Sequence, residues 1–226
     1  MYSTWAEQAW AVFRKDVLLE ARSRASLNAM LFFAGLLLLI FSFALGPDRQ
    51  QLQTVAPGLI WLALIFAGLL AFGRSYQLEA ENNAFEGLLL VARHRSAIYL
   101  GKLLGAGAVI FLIEIIIVPI MAILYDLNLW QAMPALLLIG LLGILGYAAI
   151  GALYGALTMS LRTREVLLPL LLLPVTVPVI LGATVATGAI MAGRPDALQP
   201  WVGVLVVFDA IFITLGLLTY EYAVGE

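Results

Sequence analysis

Six stretches of this chain are apolar over about 20 residues or more, at about 27–46, 57–77, 98–124, 133–159, 166–190 and 201–222. A bilayer core about 30 Å thick needs roughly 20 apolar residues in helical form, so each run is long enough to cross. The runs are continuous, whereas membrane β-strands alternate apolar and polar residues. Only helices then satisfy the backbone inside lipid. Turns punctuate the runs: Gly46-Pro47-Asp48-Arg49, Asp126-Leu127-Asn128 and Gly193-Arg194-Pro195-Asp196. Composition agrees. Of 226 residues 63% are hydrophobic and 12% charged, against roughly 45–50% and about 25% in a soluble domain. The expected fold is a single all-α transmembrane domain over residues 1–226, with six spans.

The first apolar run begins near Leu27 and is too long for the h-region of a cleaved leader. An uncleaved first span is expected, although Ser42-Phe43-Ala44 loosely resembles a cleavage site. Ahead of it, Trp5, Ala9, Phe13, Val17 and Ala21 recur every four residues. Residues 3–25 thus read as an amphipathic helix lying in the membrane interface, with basic residues near anionic headgroups. Packing of the helix on a partner is the alternative.

Orientation follows from Lys and Arg. The N-terminal segment holds Arg14, Lys15, Arg22 and Arg24; the second loop region holds Arg74, Arg93, Arg95 and Lys102; the fourth holds Arg162 and Arg164. Against these ten stand two, Arg49 in the first loop and Arg194 in the fifth. By the positive-inside rule both termini are cytoplasmic. These twelve account for every basic residue, which leaves none inside a span.

The second loop is the most informative polar stretch. Glu79, Glu81, Asn83 and Glu86 precede or flank a short apolar segment. Asn82-Asn83 is a turn signal, and Phe85, Leu88 and Leu89 fall at i, i+3, i+4 on one face of a short helix. Such a face needs a partner, as in the coupling helices of ATP-driven transporters. Packing on the chain's own N-terminal helix is equally open.

The chain resembles the cytochrome c maturation protein B family (haem exporter B, CcmB) over nearly its whole length. Three stretches carry the resemblance: Gly46-Pro47 with Ala56-Pro57-Gly58-Leu59-Ile60-Trp61; the loop from Arg74 through Phe85-Glu86 and Leu88 to Lys102; and Leu168-Pro169 with Leu173-Pro174-Val175-Thr176-Val177-Pro178-Val179. Asn82-Asn83 stands where the family usually has Asp-Gly, and a common later Pro is replaced near Ala92. The resemblance implies an ABC-2-like transmembrane subunit in the bacterial inner membrane, present in two copies. It implies a separate ABC ATPase subunit (CcmA-like), a haem-handling membrane protein (CcmC-like), a small single-span protein (CcmD-like) and a periplasmic haem chaperone (CcmE-like). ATP hydrolysis by the complex would release the loaded chaperone. Mg-ATP and haem would be held by those partners and no cofactor by this chain. Nucleic acid is not among the expected partners.

The residues fit a non-catalytic subunit. Gly101-Lys102 is followed by Leu103 and lacks the first glycine of a P-loop. The absence of cysteine excludes disulfides, thiol catalysis and zinc-thiolate sites. His94 reads as a solvated loop residue, the methionines as core filler and Trp61 as an interfacial anchor. Glu114 and Asp209 lie within apolar runs, where a charge costs at least roughly 2.5–3.5 kcal/mol. They are either protonated or paired with groups such as Thr176, Thr184 or Tyr147. An ion relay is the functional reading and an interhelical hydrogen bond the structural one. Pro169, Pro174 and Pro178 can kink the fifth span and mark a candidate gating element. Gly101-x-x-x-Gly105 and Gly151-x-x-x-Gly155 mark close helix contacts. An ABC exporter of another substrate, an ion-coupled carrier using Glu114 and Asp209, and a passive assembly scaffold are the alternatives.

Overall fold

The computed structural model describes residues 4–224 apart from 47, 82–83, 160 and 162. Its helices are α1 (Trp5–Arg22), α2 (Arg24–Leu45), α3 (Arg49–Glu81), α4 (Ala84–Val91), α5 (Arg95–Leu124), α6 (Met133–Met159), α7 (Arg164–Met191) and α8 (Gln199–Ala223). A single 3-10 turn, Pro195–Ala197, precedes α8. Among the described residues six helices are long and apolar enough to cross a membrane: α2, α3 and α5 to α8.

A capping box starts α1. The Thr4 hydroxyl accepts from the Glu7 N–H at 3.3 Å, and the Glu7 carboxylate accepts from the Thr4 N–H at 3.1 Å. Two orphan donors of the first turn are thus satisfied. One residue, Ser23, separates α1 from α2.

The face that α1 turns inward is not the four-residue stripe read from the sequence. Gln8, Ala9 and Val12 are buried, while Trp5 and Ala21 are exposed. The reason lies on α5. A side chain at Gly101 would meet the Ala9 carbonyl and Val12, and one at Gly105 would meet Asp16. The glycine pair admits the α1 backbone, so it serves α1 rather than a contact between spans. The outward side of α1 carries Trp10, Arg14, Leu18 and Leu19, the aromatic, basic and aliphatic mixture that suits an interface. Gly101→Val is expected to cost about 1–3 kcal/mol by overpacking. Faster proteolysis within residues 5–22 would show α1 leaving α5; unchanged cleavage and melting would contradict that packing.

Helix α6 is the central post, packed by α3, α5, α7 and α8. Its second small-residue pair works as expected of a close contact: Gly151 lies against the Phe72 ring and Gly155 against the Tyr76 ring. The Tyr76 hydroxyl donates to the Ala152 carbonyl at 2.6 Å. Helix α7 runs unbroken through Pro169, Pro174 and Pro178. Pro174 and Pro178 sit on its exposed side, while Leu168, Leu172, Thr176 and Val179 pack inward.

Candidate functional site

The expectation that no basic residue lies in a span fails, because the apolar runs 57–77 and 98–124 themselves contain Arg74 and Lys102. Arg74 and Lys102 both fall inside span-length helices, α3 and α5. Lys102 is 2% exposed. Its ammonium lies 2.8 Å from Glu79 Oε1 and 3.1 Å from Asp16 Oδ2, and it donates to Ser75 Oγ at 2.9 Å. The Tyr76 ring covers it, with the centroid 4.9 Å away. Lys15 bridges the same Glu79 oxygen and Asp16 Oδ1, the latter at 3.1 Å. Two cations and two anions from α1, α3 and α5 thus form one neutral cluster. Burial works against the Lys15 charge, but Asp16 and Glu79 outweigh it and push its pKa upward. Because that shift is upward, the stabilisation is complete below the ordinary lysine pKa and is lost as pH rises beyond it. Lys15 therefore stays charged at neutral pH.

Further contacts tie this end together. The Gln8 side-chain carbonyl accepts from the His94 N–H at 3.2 Å, and the Trp5 indole donates to Ser96 Oγ at 3.0 Å. Arg95 Nη1 donates to the Glu221 carbonyl at 3.3 Å. The segment joining α4 to α5 is thereby held by both α1 and α8. The His94 side chain itself is exposed.

Helix α4 turns its apolar face toward its own chain. Phe85 is buried, and Leu88 and Leu89 pack half-buried against the core. The exposed side carries Ala84, Gly87 and Leu90, the last 88% exposed. Glu79 is 4% exposed and occupied by two lysines. Of the seven residues expected to meet an ATPase, Glu79 and Phe85 are therefore internal. Asn83 and the side chains of Glu81 and Glu86 lie outside the described residues.

Deeper in the bundle, α6 presents Gly140, Gly143 and Gly146 at every third position. Glu114 of α5 lies against Gly140, Trp61 of α3 against Gly143 and Asp209 of α8 against Gly146. Trp61 is 3% exposed and its indole donates to Thr187 Oγ1 of α7 at 3.1 Å. It is thus a buried clasp among α3, α6 and α7, not an interfacial anchor. Glu114 Oε2 and both carboxyl oxygens of Asp209 are buried and have no hydrogen-bond partner among the described residues. Two of the three suggested partners are otherwise engaged: Tyr147 donates to the Ile65 carbonyl at 2.7 Å and Thr176 to the Leu173 carbonyl at 2.9 Å.

A family model described as CcmB protein matches residues 7–225. The chain belongs to the CcmB family. Heme exporter protein B of Pseudomonas aeruginosa is 32% identical over 184 residues, covering 81% of this chain and 82% of that one. Its namesake in Haemophilus influenzae is 33% identical over 175 residues, 76% of this chain and 78% of the relative. That of Escherichia coli strain K12 is 33% identical over 184 residues, 80% and 81% of the two chains.

Within this CcmB-family chain, Glu114 and Asp209 project onto the same row of α6 glycines, although they come from different helices. The signal for that row was a glycine at every third residue in a run otherwise rich in leucine. Glu114→Gln and Asp209→Asn conserve volume and are expected to change stability by less than about 1.5 kcal/mol. If either amide abolishes function while the folded complex still assembles, the acids do more than pack.

Proposed function

We propose that this chain is the membrane subunit through which a partner ABC ATPase drives release of a haem-loaded chaperone during cytochrome c maturation. The observation that carries the reading is the family match over residues 7–225, with curated relatives named Heme exporter protein B. The sequence has no P-loop of its own, so nucleotide chemistry belongs to a CcmA-like subunit. The end holding most of the basic residues is taken as cytoplasmic, in the bacterial inner membrane. There α4, with Leu90 outermost, is the docking element. Because Glu79 and Phe85 are internal, contact passes through the outer side of α4 at Ala84, Gly87 and Leu90 and on to the ion cluster. A CcmC-like protein handles the haem beside a small single-span CcmD-like protein, and the CcmE-like chaperone receives it at the far end. The proline-bearing α7 serves as the moving span, in a complex with two copies of this chain.

Co-purification from membranes tests the reading. The ATPase is expected to accompany the wild-type chain and to be lost from Leu90→Asp. An ATPase-dead partner is expected to leave the loaded chaperone bound to the complex. No ATPase on the wild-type chain, or normal chaperone release without hydrolysis, would defeat the proposal.

A further inference from the structure

The end of the bundle that holds the ion cluster also contains a half-open cavity of about 370 Å³, lined by α2, α3, α6 and α7. Its size falls within the range of small-molecule sites, roughly 300–1,000 Å³. The lining has two chemistries. Leu69 of α3 with Leu168 and Pro169 of α7 make an apolar wall. Arg74 and Arg164 supply two guanidiniums against one carboxylate, Glu165, for a net charge of +1. Arg74 Nη2 donates to Ser23 Oγ at 2.7 Å, and its buried Nε has no acceptor among the described residues. The net positive lining favours an acidic ligand, and guanidiniums match phosphate and carboxylate oxygens in geometry.

The surroundings say what kind of acid fits. Beside the cavity α2 exposes Phe32 and Phe33, and α7 exposes Leu170 and Leu171, surfaces suited to acyl chains. Arg74 lies seven residues before the end of α3, about 10 Å along the axis at 1.5 Å per residue. That depth suits a headgroup near the bilayer surface. Basic pockets between spans are a recognised mode of acidic-lipid recognition. We propose that this cavity binds an anionic phospholipid, with its phosphate on Arg74 and Arg164 and an acyl chain along Leu69, Leu168 and Pro169. The site is separate from the α4 docking side and does not depend on the haem-related role.

Native mass spectrometry from mixed phosphatidylethanolamine and phosphatidylglycerol tests it. The wild-type chain is expected to retain phosphatidylglycerol about tenfold in preference. The double variant Arg74→Gln/Arg164→Gln is expected to lose that preference, and Arg95→Gln to keep it. Equal retention by the wild type and the double variant would overturn the proposal. A photoactivatable phosphatidylglycerol in vesicles checks the site on the wild-type chain alone, whatever the variants do. Crosslinks are expected on peptides containing Leu69 or Leu168, and labelling confined elsewhere would overturn the assignment. Haem also joins acidic groups to an apolar body, and inorganic phosphate offers the anion without the tail. Displacement of the label by phosphate alone would reduce the site to an anion site. Displacement by haem, with a Soret shift lost in the double variant, would reassign it to a tetrapyrrole.

Discussion

Lys102→Met is expected to lower the stability of the folded chain by about 3–5 kcal/mol, the usual cost of removing one partner from a buried ion pair. The substitution leaves Glu79 and Asp16, whose side chains are 5% and 10% exposed, facing Lys15 alone. Lys15 has a side chain 36% exposed, so solvent screens it and its compensation is small. Lys15→Met is accordingly expected to cost no more than about 1 kcal/mol. The double variant Lys102→Met/Glu79→Gln removes one charge of each sign and keeps the Lys15–Asp16 pair. It is expected to recover much of the loss, because buried pairs are often replaceable by neutral side chains. Thermal unfolding of purified protein in detergent reads all three, together with Glu79→Gln alone. If Lys102→Met melts with the wild type, or the double variant is as unstable as the sum of its parts, the cluster is not the coupled unit described above. A second readout concerns assembly. The cluster joins α1, α3 and α5 beside α4, so on the proposed docking its loss is expected to weaken ATPase co-purification even where the chain remains folded.

The number and type of helices were legible because a bilayer leaves few options for a long apolar run. The end of each helix was less so. Apolar content marks the part of a helix in hydrocarbon, whereas Arg74, Glu79 and Lys102 sit where α3 and α5 continue beyond it or near its edge. Counting those residues as loop charges served the orientation argument but hid their pairing. Lys102 inside an apolar run could have been matched to Glu79, yet nothing local specified Asp16 on α1 as the third member. The face of α1 that meets the bundle was not legible for a related reason. A four-residue period finds the most apolar stripe, but Gln8 and Asp16 can turn inward because the His94 N–H and Lys102 meet them. The docking residues on α4 show the limit of a face drawn from i, i+3, i+4 spacing. That spacing identified the side that packs, and the chain's own core took it. The glycine pair on α5 was readable as a close contact, but which helix it admits depends on tertiary placement.

Trp61→Ala is expected to destabilise the chain by about 3–5 kcal/mol, as for other large aromatic-to-alanine changes in cores. Inside a membrane the loss comes from packing and hydrogen bonding rather than from water, since lipid tails are as apolar as the ring. Trp61 fills the notch at Gly143 and joins α3 to α7 through Thr187. Trp61→Phe keeps part of the ring volume but loses the donor. The hydrogen bond accounts for about 0.5–1.5 kcal/mol of its deficit. Gly143→Ala probes the same notch from the other side, because a methyl there meets the Trp61 ring. In the Trp61→Ala background the ring no longer meets that methyl and only Ala183 Cβ, at 3.0 Å, still crowds it, so the penalty of Gly143→Ala should shrink by about 0.5–3 kcal/mol, the coupling range for residues in contact. Melting of the four proteins in one detergent closes the cycle. Equal penalties in both backgrounds would mean that the ring and the glycine do not pack as described. On the proposed function, a positive cycle combined with lost chaperone release in Trp61→Phe would place the α3–α7 contact in the path of motion, because that variant keeps part of the ring volume and loses the bond to the proline-bearing span.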